Sequence, residues 1–139
     1  MRRLFLIAIS ILTMIGCSKE PLSLEGTWSL YEVRMYRTQD NFKEPEVQND
    51  RHASLTFNSD GTYIYNSDQG TIVGRWALKK SYLTLKNGKD EIELYVKTPN
   101  KKQLVLEYRV YEEHFDPETH GSESVVVHLE EYYYTRVSP

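Results

Sequence analysis

A single cysteine, Cys17, stands in the 139 residues, so no disulfide can brace the fold within the chain and stability must come from a core. Charge of one sign is also lacking. Seventeen Lys and Arg against twenty Asp and Glu give a net charge of −3, which argues against a protein whose task is neutralising nucleic-acid phosphates. No apolar run is long enough to span a bilayer: the mostly apolar Leu4–Ile15 would make about 18 Å of helix against a hydrocarbon core of about 30 Å. From Leu24 onward no ten-residue stretch repeats apolar residues at the three-and-four spacing of a helix. A chain 40% hydrophobic and 27% charged is not broadly disordered, and its length accommodates one domain. What is abundant is tyrosine, eleven of them.

The first residues read as an address. Arg2 and Arg3, the apolar run and Gly16 follow the order of a secretory signal peptide. Met14-Ile15-Gly16-Cys17 resembles a bacterial lipobox, which implies a lipoprotein signal peptide over 1–16, a lipid-modified Cys17 as first mature residue, and a tether over 17–23. Acyl chains contribute about 0.8 kcal/mol per buried CH₂, enough in twos or threes to hold a domain at a membrane. Ser18-Lys19-Glu20 resembles the lysine-then-acid export signal of surface lipoproteins in Bacteroidetes-type bacteria. The expected location is the outer membrane, lipid-anchored, with the cell surface preferred over the periplasmic face.

The remainder, 24–139, alternates with period two. Ile92, Leu94 and Val96 share one face, as do Leu104, Leu106, Tyr108 and Val110, and as do Val125, Val127, Leu129 and Tyr133. Turn residues punctuate these runs at Asn58-Ser-Asp-Gly61, Asn66-Ser-Asp-Gln-Gly70, Asn87-Gly88 and Thr98-Pro-Asn-Lys101. Strands are predicted near 26–36, 53–57, 62–66, 70–78, 82–86, 90–97, 102–111 and 124–135. Eight strands joined to their sequence neighbours form an all-β, antiparallel up-and-down barrel more naturally than a sandwich. Two connections exceed what a hairpin needs: Thr38–His52 and Glu112–Glu123. On the first strand the alternation of Trp28 and Leu30 continues to Glu32 and Arg34. Either those two charges line the interior or a bulge turns Val33 and Met35 inward.

Leu24-Glu25-Gly26-Thr27-Trp28 carries a Gly-x-Trp motif and resembles the opening of lipocalins and of small lipocalin-like bacterial lipoproteins. The resemblance implies that Trp28 plugs the closed end of the barrel, with Gly26 beneath it and a basic residue of the last strand, Arg136, above it. A guanidinium over an indole is a cation–π contact. Gly74-Arg75-Trp76 repeats the motif, and no segment after the last strand could supply the helix that flanks a full-length lipocalin.

Catalytic chemistry finds little support. On the lipobox resemblance Cys17 would be consumed by the lipid, no Gly-x-Ser-x-Gly elbow exists, and Glu130-Glu131 point to opposite strand faces. His128, out of step with Val127 and Leu129, reads as a wet surface residue. His114, Asp116, Glu118 and His120 are metal-ligand types, but their spacing fits no familiar site and reads as a solvated, turn-rich loop. Asn58–Thr62 resembles the start of a calcium loop without its closing glutamate. No cofactor, metal or nucleic-acid partner is expected. The tyrosine pairs Tyr63/Tyr65 and Tyr132/Tyr134 suit either cross-strand packing or a partly hydrated cavity mouth.

The leading expectation is a non-catalytic, membrane-anchored lipoprotein that binds a small, mostly apolar ligand. Its cavity would be lined by Leu55, Phe57, Trp76, Leu83, Leu94, Leu106 and Tyr108. The alternative is a rigid surface module with a solid interior, binding a protein or glycan through its outer face and long loops. Whether those inward side chains meet in the middle discriminates the two.

Overall fold

A computed structural model describes residues 23–97 and 100–138. The expected signal peptide, the lipidated Cys17 and most of the tether lie outside the described residues. Nine strands run in chain order: β1 (Gly26–Arg37), β2 (Glu46–Gln48), β3 (Ala53–Phe57), β4 (Thr62–Ser67), β5 (Gly70–Lys79), β6 (Tyr82–Asn87), β7 (Asp90–Val96), β8 (Gln103–Asp116) and β9 (Gly121–Ser138). Each of β3–β9 pairs with its sequence neighbour, and β1 pairs with both β3 and β9, closing eight strands into an antiparallel barrel. Closure removes the exposed edges that a flat meander would leave. The ninth strand is β2. It arises in the long 38–52 connection, which also holds a single 3-10 turn (Thr38–Asp40), and it pairs with Val33–Met35 above the stretch of β1 used by β3.

Alternation decides which side chains enter. Facing pairs Trp28↔Leu55, Phe57↔Tyr63, Leu83↔Leu94 and Leu106↔Tyr132 put one continuous apolar set inside. On β1 the register shifts between Leu30 and Glu32, so Val33 is fully buried and Met35 packs on the core. Glu32 and Arg34 are thereby turned outward, where they form a 2.6 Å ion pair with the guanidinium 4.5 Å from the Tyr133 ring. A bulge is less costly than two charges in an apolar interior.

Three expectations are corrected. The face shared by Val125, Val127, Leu129 and Tyr133 is not the inner one: Tyr134 and Tyr132 stand opposite Leu104 and Leu106 on one side and Leu30 and Val33 on the other. The inward set on β9 is therefore His128, Glu130, Tyr132 and Tyr134, and His128 is not a wet outer residue. A register shift at Val110/Tyr111 breaks the phase that linked Val125 to the rest. Second, Glu112–Glu123 is not a loop, because β8 and β9 stay paired as far as Asp116↔Gly121 and project past the barrel as an exposed ribbon. Third, the pair Asn87↔Asp90 leaves Gly88-Lys89, not Asn87-Gly88, as the two-residue turn, with Gly88 at φ 61°.

The barrel wall is uneven. β7 and β8 share only the pairs Tyr95↔Glu107 and Val96↔Leu106, and above them the two strands part. The outer face near this seam is unusually dry. Glu107 and Glu131, directly opposite across β8 and β9, are 3% and 4% exposed. Like charges in such a pair repel. Lys97 Nζ answers by reaching Glu131 at 2.8 Å and Glu107 at 3.5 Å, while Arg109 donates to Glu107 and Tyr133 to Glu131.

Candidate functional site

The interior divides into a sealed lower half and an open upper half. At the closed end Gly26 turns the chain at φ +119°, and the Trp28 indole, 1% exposed, donates its Nε1 hydrogen to the Leu24 carbonyl at 2.8 Å. Arg136 stands opposite Trp28 in the ladder, its guanidinium carbon 4.2 Å from the ring centre. Its nitrogens donate to the carbonyls of Lys101 (2.9 Å), Glu25 (2.8 Å) and Ser23 (2.9 Å). One side chain thus ties the last strand to the start of the first and to the β7–β8 turn. Phe57, Leu83 and Leu104 belong to the same buried cluster as Trp28. Trp76 sets its ring against Phe57, centroids 5.2 Å apart, and donates to the Asn58 carbonyl at 3.0 Å.

Above this plug lies a cup of about 240 Å³. Leu55, Ile72, Leu85, Ile92, Leu94 and Leu106 supply its apolar side; Tyr63, Tyr65, Tyr132 and Tyr134 supply the rest. Ile72 and Ile92 point inward through the pairs Tyr65↔Ile72 and Leu85↔Ile92, yet are 42% and 38% exposed. Their exposure marks the mouth. Gly74 makes room for a wall tyrosine: a Cβ there would sit 2.7 Å from Tyr63 Cε1. A second hollow, about 320 Å³, follows the β7–β8 seam between Tyr82, Tyr95, Tyr108 and Arg109. It shares Ile92 and Leu94 with the cup, so the parted strands flank the cup from outside.

The lip of the cup is polar because β9 presents every second residue to it. His128 Nε2 lies 2.9 Å from Glu130 Oε1, and the Tyr132 hydroxyl donates to Glu130 Oε2. Burial acts to raise the Glu130 pKa, but the bonds from Tyr132 and His128 and the nearby Arg51 charge hold it below the usual carboxylate range. Burial, reinforced by the Glu130 charge, pushes the Tyr132 phenol well up. The lip therefore carries a fixed carboxylate held by a neutral phenol.

Of the residues expected at a cavity, Leu55, Leu94 and Leu106 line the cup. Phe57 and Leu83 are sealed beneath it, Trp76 packs on Phe57, and Tyr108 lines the seam instead. Tyr63, Tyr65, Tyr132 and Tyr134, which suited either cross-strand packing or a cavity mouth, line the cup; Ile72, Leu85 and Ile92 join them, although alternation alone did not mark these three as cavity residues. On the ribbon His114 faces Glu123, and His120 sits in the turn at φ 53°. Among the described residues no three His, Cys, Asp or Glu side chains gather as a metal site would require. No helix among them is long and apolar enough to cross a membrane.

A meander closed at one end by a Trp–Arg plug and open at the other over an apolar cup defines a lipocalin-type barrel. The chain belongs to the family of lipocalin-like domains, which matches residues 24–106. Comparison with curated proteins returns no match. Among solved structures, a protein of unknown function from the DUF3598 family of Nostoc punctiforme aligns with 82% of this chain at 14% identity and a TM-score of 0.39. The chain spans about half of that protein's length, 48%.

Proposed function

We propose that this domain holds one small, mostly apolar molecule in the cup, without chemistry, while a lipid on Cys17 anchors it to the outer membrane. The observation that carries the reading is the divided interior, in which a solid lower half supports a cup that remains open. Its volume of about 240 Å³ falls just below the span of ordinary small-molecule sites, about 300–1,000 Å³, so the ligand is compact.

Anchoring draws support from where the chain enters. Ser23 and Glu25 lie under Arg136 at the closed end, so a short tether from Cys17 would turn that end toward the membrane and leave the mouth facing away. Exposed Lys79, the last residue of β5, and Lys80, Lys101 and Lys102 in the connections lie at this same end, suited to anionic headgroups. Surface display follows from the Lys19-Glu20 pair alone.

The test is native mass spectrometry on the mature protein taken gently from its host's envelope. The expected result is a reproducible small extra mass lost on denaturation, together with the mass of acyl chains on the mature N-terminus. Bare protein that also fails to bind small aromatic probes would overturn the carrier reading. An unmodified N-terminus would overturn the anchor.

A further inference from the structure

The cup is chemically two-sided. Ile72, Leu85, Ile92 and Leu94, on β5–β7, offer only hydrocarbon, whereas β4 and β9 bring Tyr65, Tyr132 and Tyr134 together. Their hydroxyls are not equivalent. Tyr132 donates to Glu130, which fixes its hydrogen. Tyr134 is 4% exposed and makes no hydrogen bond to any described residue, yet no side-chain polar atom sealed from solvent lacks a partner. Tyr134 lines the cup, which leaves its hydroxyl for the contents of the cup to partner. A purely apolar ligand that covered this hydroxyl would strip it of water at a cost of roughly 1–3 kcal/mol, and a ligand oxygen would avoid that cost.

We infer that the cup selects a compact, uncharged molecule with an apolar body and one hydrogen-bonding oxygen, a hydroxyl or carbonyl, placed against Tyr134. The inference rests on the cup being the binding site and adds which ligand it takes. The phenol at Tyr134 meets the oxygen, with Tyr65 beside it. The hydrocarbon of Ile72, Ile92 and Leu94 covers the body. Charge is disfavoured on both sides: a carboxylate ligand would stand near Glu130, whose two oxygens are already occupied by His128 and Tyr132. A cation would have to leave water for a mostly apolar cup that supplies no free carboxylate oxygen. A pure hydrocarbon would fill the space but leave Tyr134 unpartnered.

Three probes of nearly one shape separate these cases: naphthalene, 1-naphthol and 1-naphthoate, titrated into the full mature chain and followed by probe fluorescence. We expect 1-naphthol to bind about five- to tenfold more tightly than naphthalene, as one hydrogen bond allows, and 1-naphthoate to bind most weakly. Tyr134→Phe keeps the ring and removes the oxygen. It should erase the preference for 1-naphthol, with naphthalene bound at least as tightly as by wild type and thermal unfolding showing the variant folded. An unchanged preference in Tyr134→Phe, or 1-naphthoate as the tightest probe, would overturn the inference while leaving the cup a binding site. If none of the three binds, and Leu106→Trp, which fills the cup, changes nothing, the cup is not the site and the carrier reading falls with it.

Discussion

Lys97→Met tests the least ordinary part of the wall, the two carboxylates set face to face on β8 and β9. Methionine keeps most of the lysine stem and removes the charge that lies 2.8 Å from Glu131 and 3.5 Å from Glu107. Breaking a fully buried ion pair costs about 3–5 kcal/mol, because the partner is left charged and dry. Lys97 is 46% exposed, so water screens part of the interaction, and about 1.5–3 kcal/mol is expected at neutral pH. The pH dependence carries the sharper prediction. Burial acts to raise the Glu131 pKa, but Lys97, Tyr36 and Tyr133 together hold it below the ordinary value. A depressed folded pKa contributes stability above the unfolded pKa, near 4.3, that is lost as pH falls through the folded one. Without Lys97 burial has less opposition, so the Glu131 pKa rises and protonation relieves the variant as pH falls. The gap between wild type and Lys97→Met should therefore be widest near pH 7 and narrow toward pH 4. Urea unfolding followed by tyrosine and tryptophan fluorescence at several pH values reads this directly. Adding Glu131→Gln should recover most of the loss at pH 7. A gap that does not change between pH 7 and pH 4, or no recovery in the double variant, would refute the account.

Gly74→Ala places a methyl group 2.3 Å from the Lys86 carbonyl oxygen and 2.7 Å from Tyr63, so backbone or ring must move; a loss of about 1–3 kcal/mol is expected in urea unfolding, with weakened probe binding in the cup. Arg136→Met removes three hydrogen bonds to carbonyls and the contact with Trp28, and should lower stability by about 2 kcal/mol and raise amide exchange at Leu24 and Trp28. Replacing residues 113–124 with Asn-Gly joins Glu112 to Val125, which already face each other, by a two-residue turn. Because the ribbon residues removed are exposed, the melting temperature should stay within a few degrees; a large fall would show that the ribbon supports the barrel.

Most of the architecture was legible in the chain itself. Period-two alternation and turn residues are local properties, and they placed eight strands to within a few residues everywhere except at the ends of β8 and β9. Gly26-Thr27-Trp28 and Arg136 pointed to the plug through the resemblance they carry. The clash between Trp28–Leu30 and Glu32–Arg34 left two outcomes open, charges lining the interior or a bulge on β1, and the bulge is what forms. What alternation alone could not supply was the side of the wall each set faces when both are partly apolar. On β9 the set Val127, Leu129 and Tyr133 is as hydrophobic as Tyr132 and Tyr134, and only pairing with Leu104, Leu106, Leu30 and Val33 decides between them. The same decision brought His128 and Glu130 to the lip, and it placed Glu107 and Glu131 side by side outside. Whether inward residues meet or leave a cup depends on volumes summed across the barrel. Phe57 and Leu83 are sealed in the core, whereas Ile72 and Ile92 line an open cup and stay exposed. Strands follow from neighbours in sequence, but the cavity, the Tyr134 phenol that lines it and the dry carboxylate pair exist only once β9 returns to β1 and fixes the register.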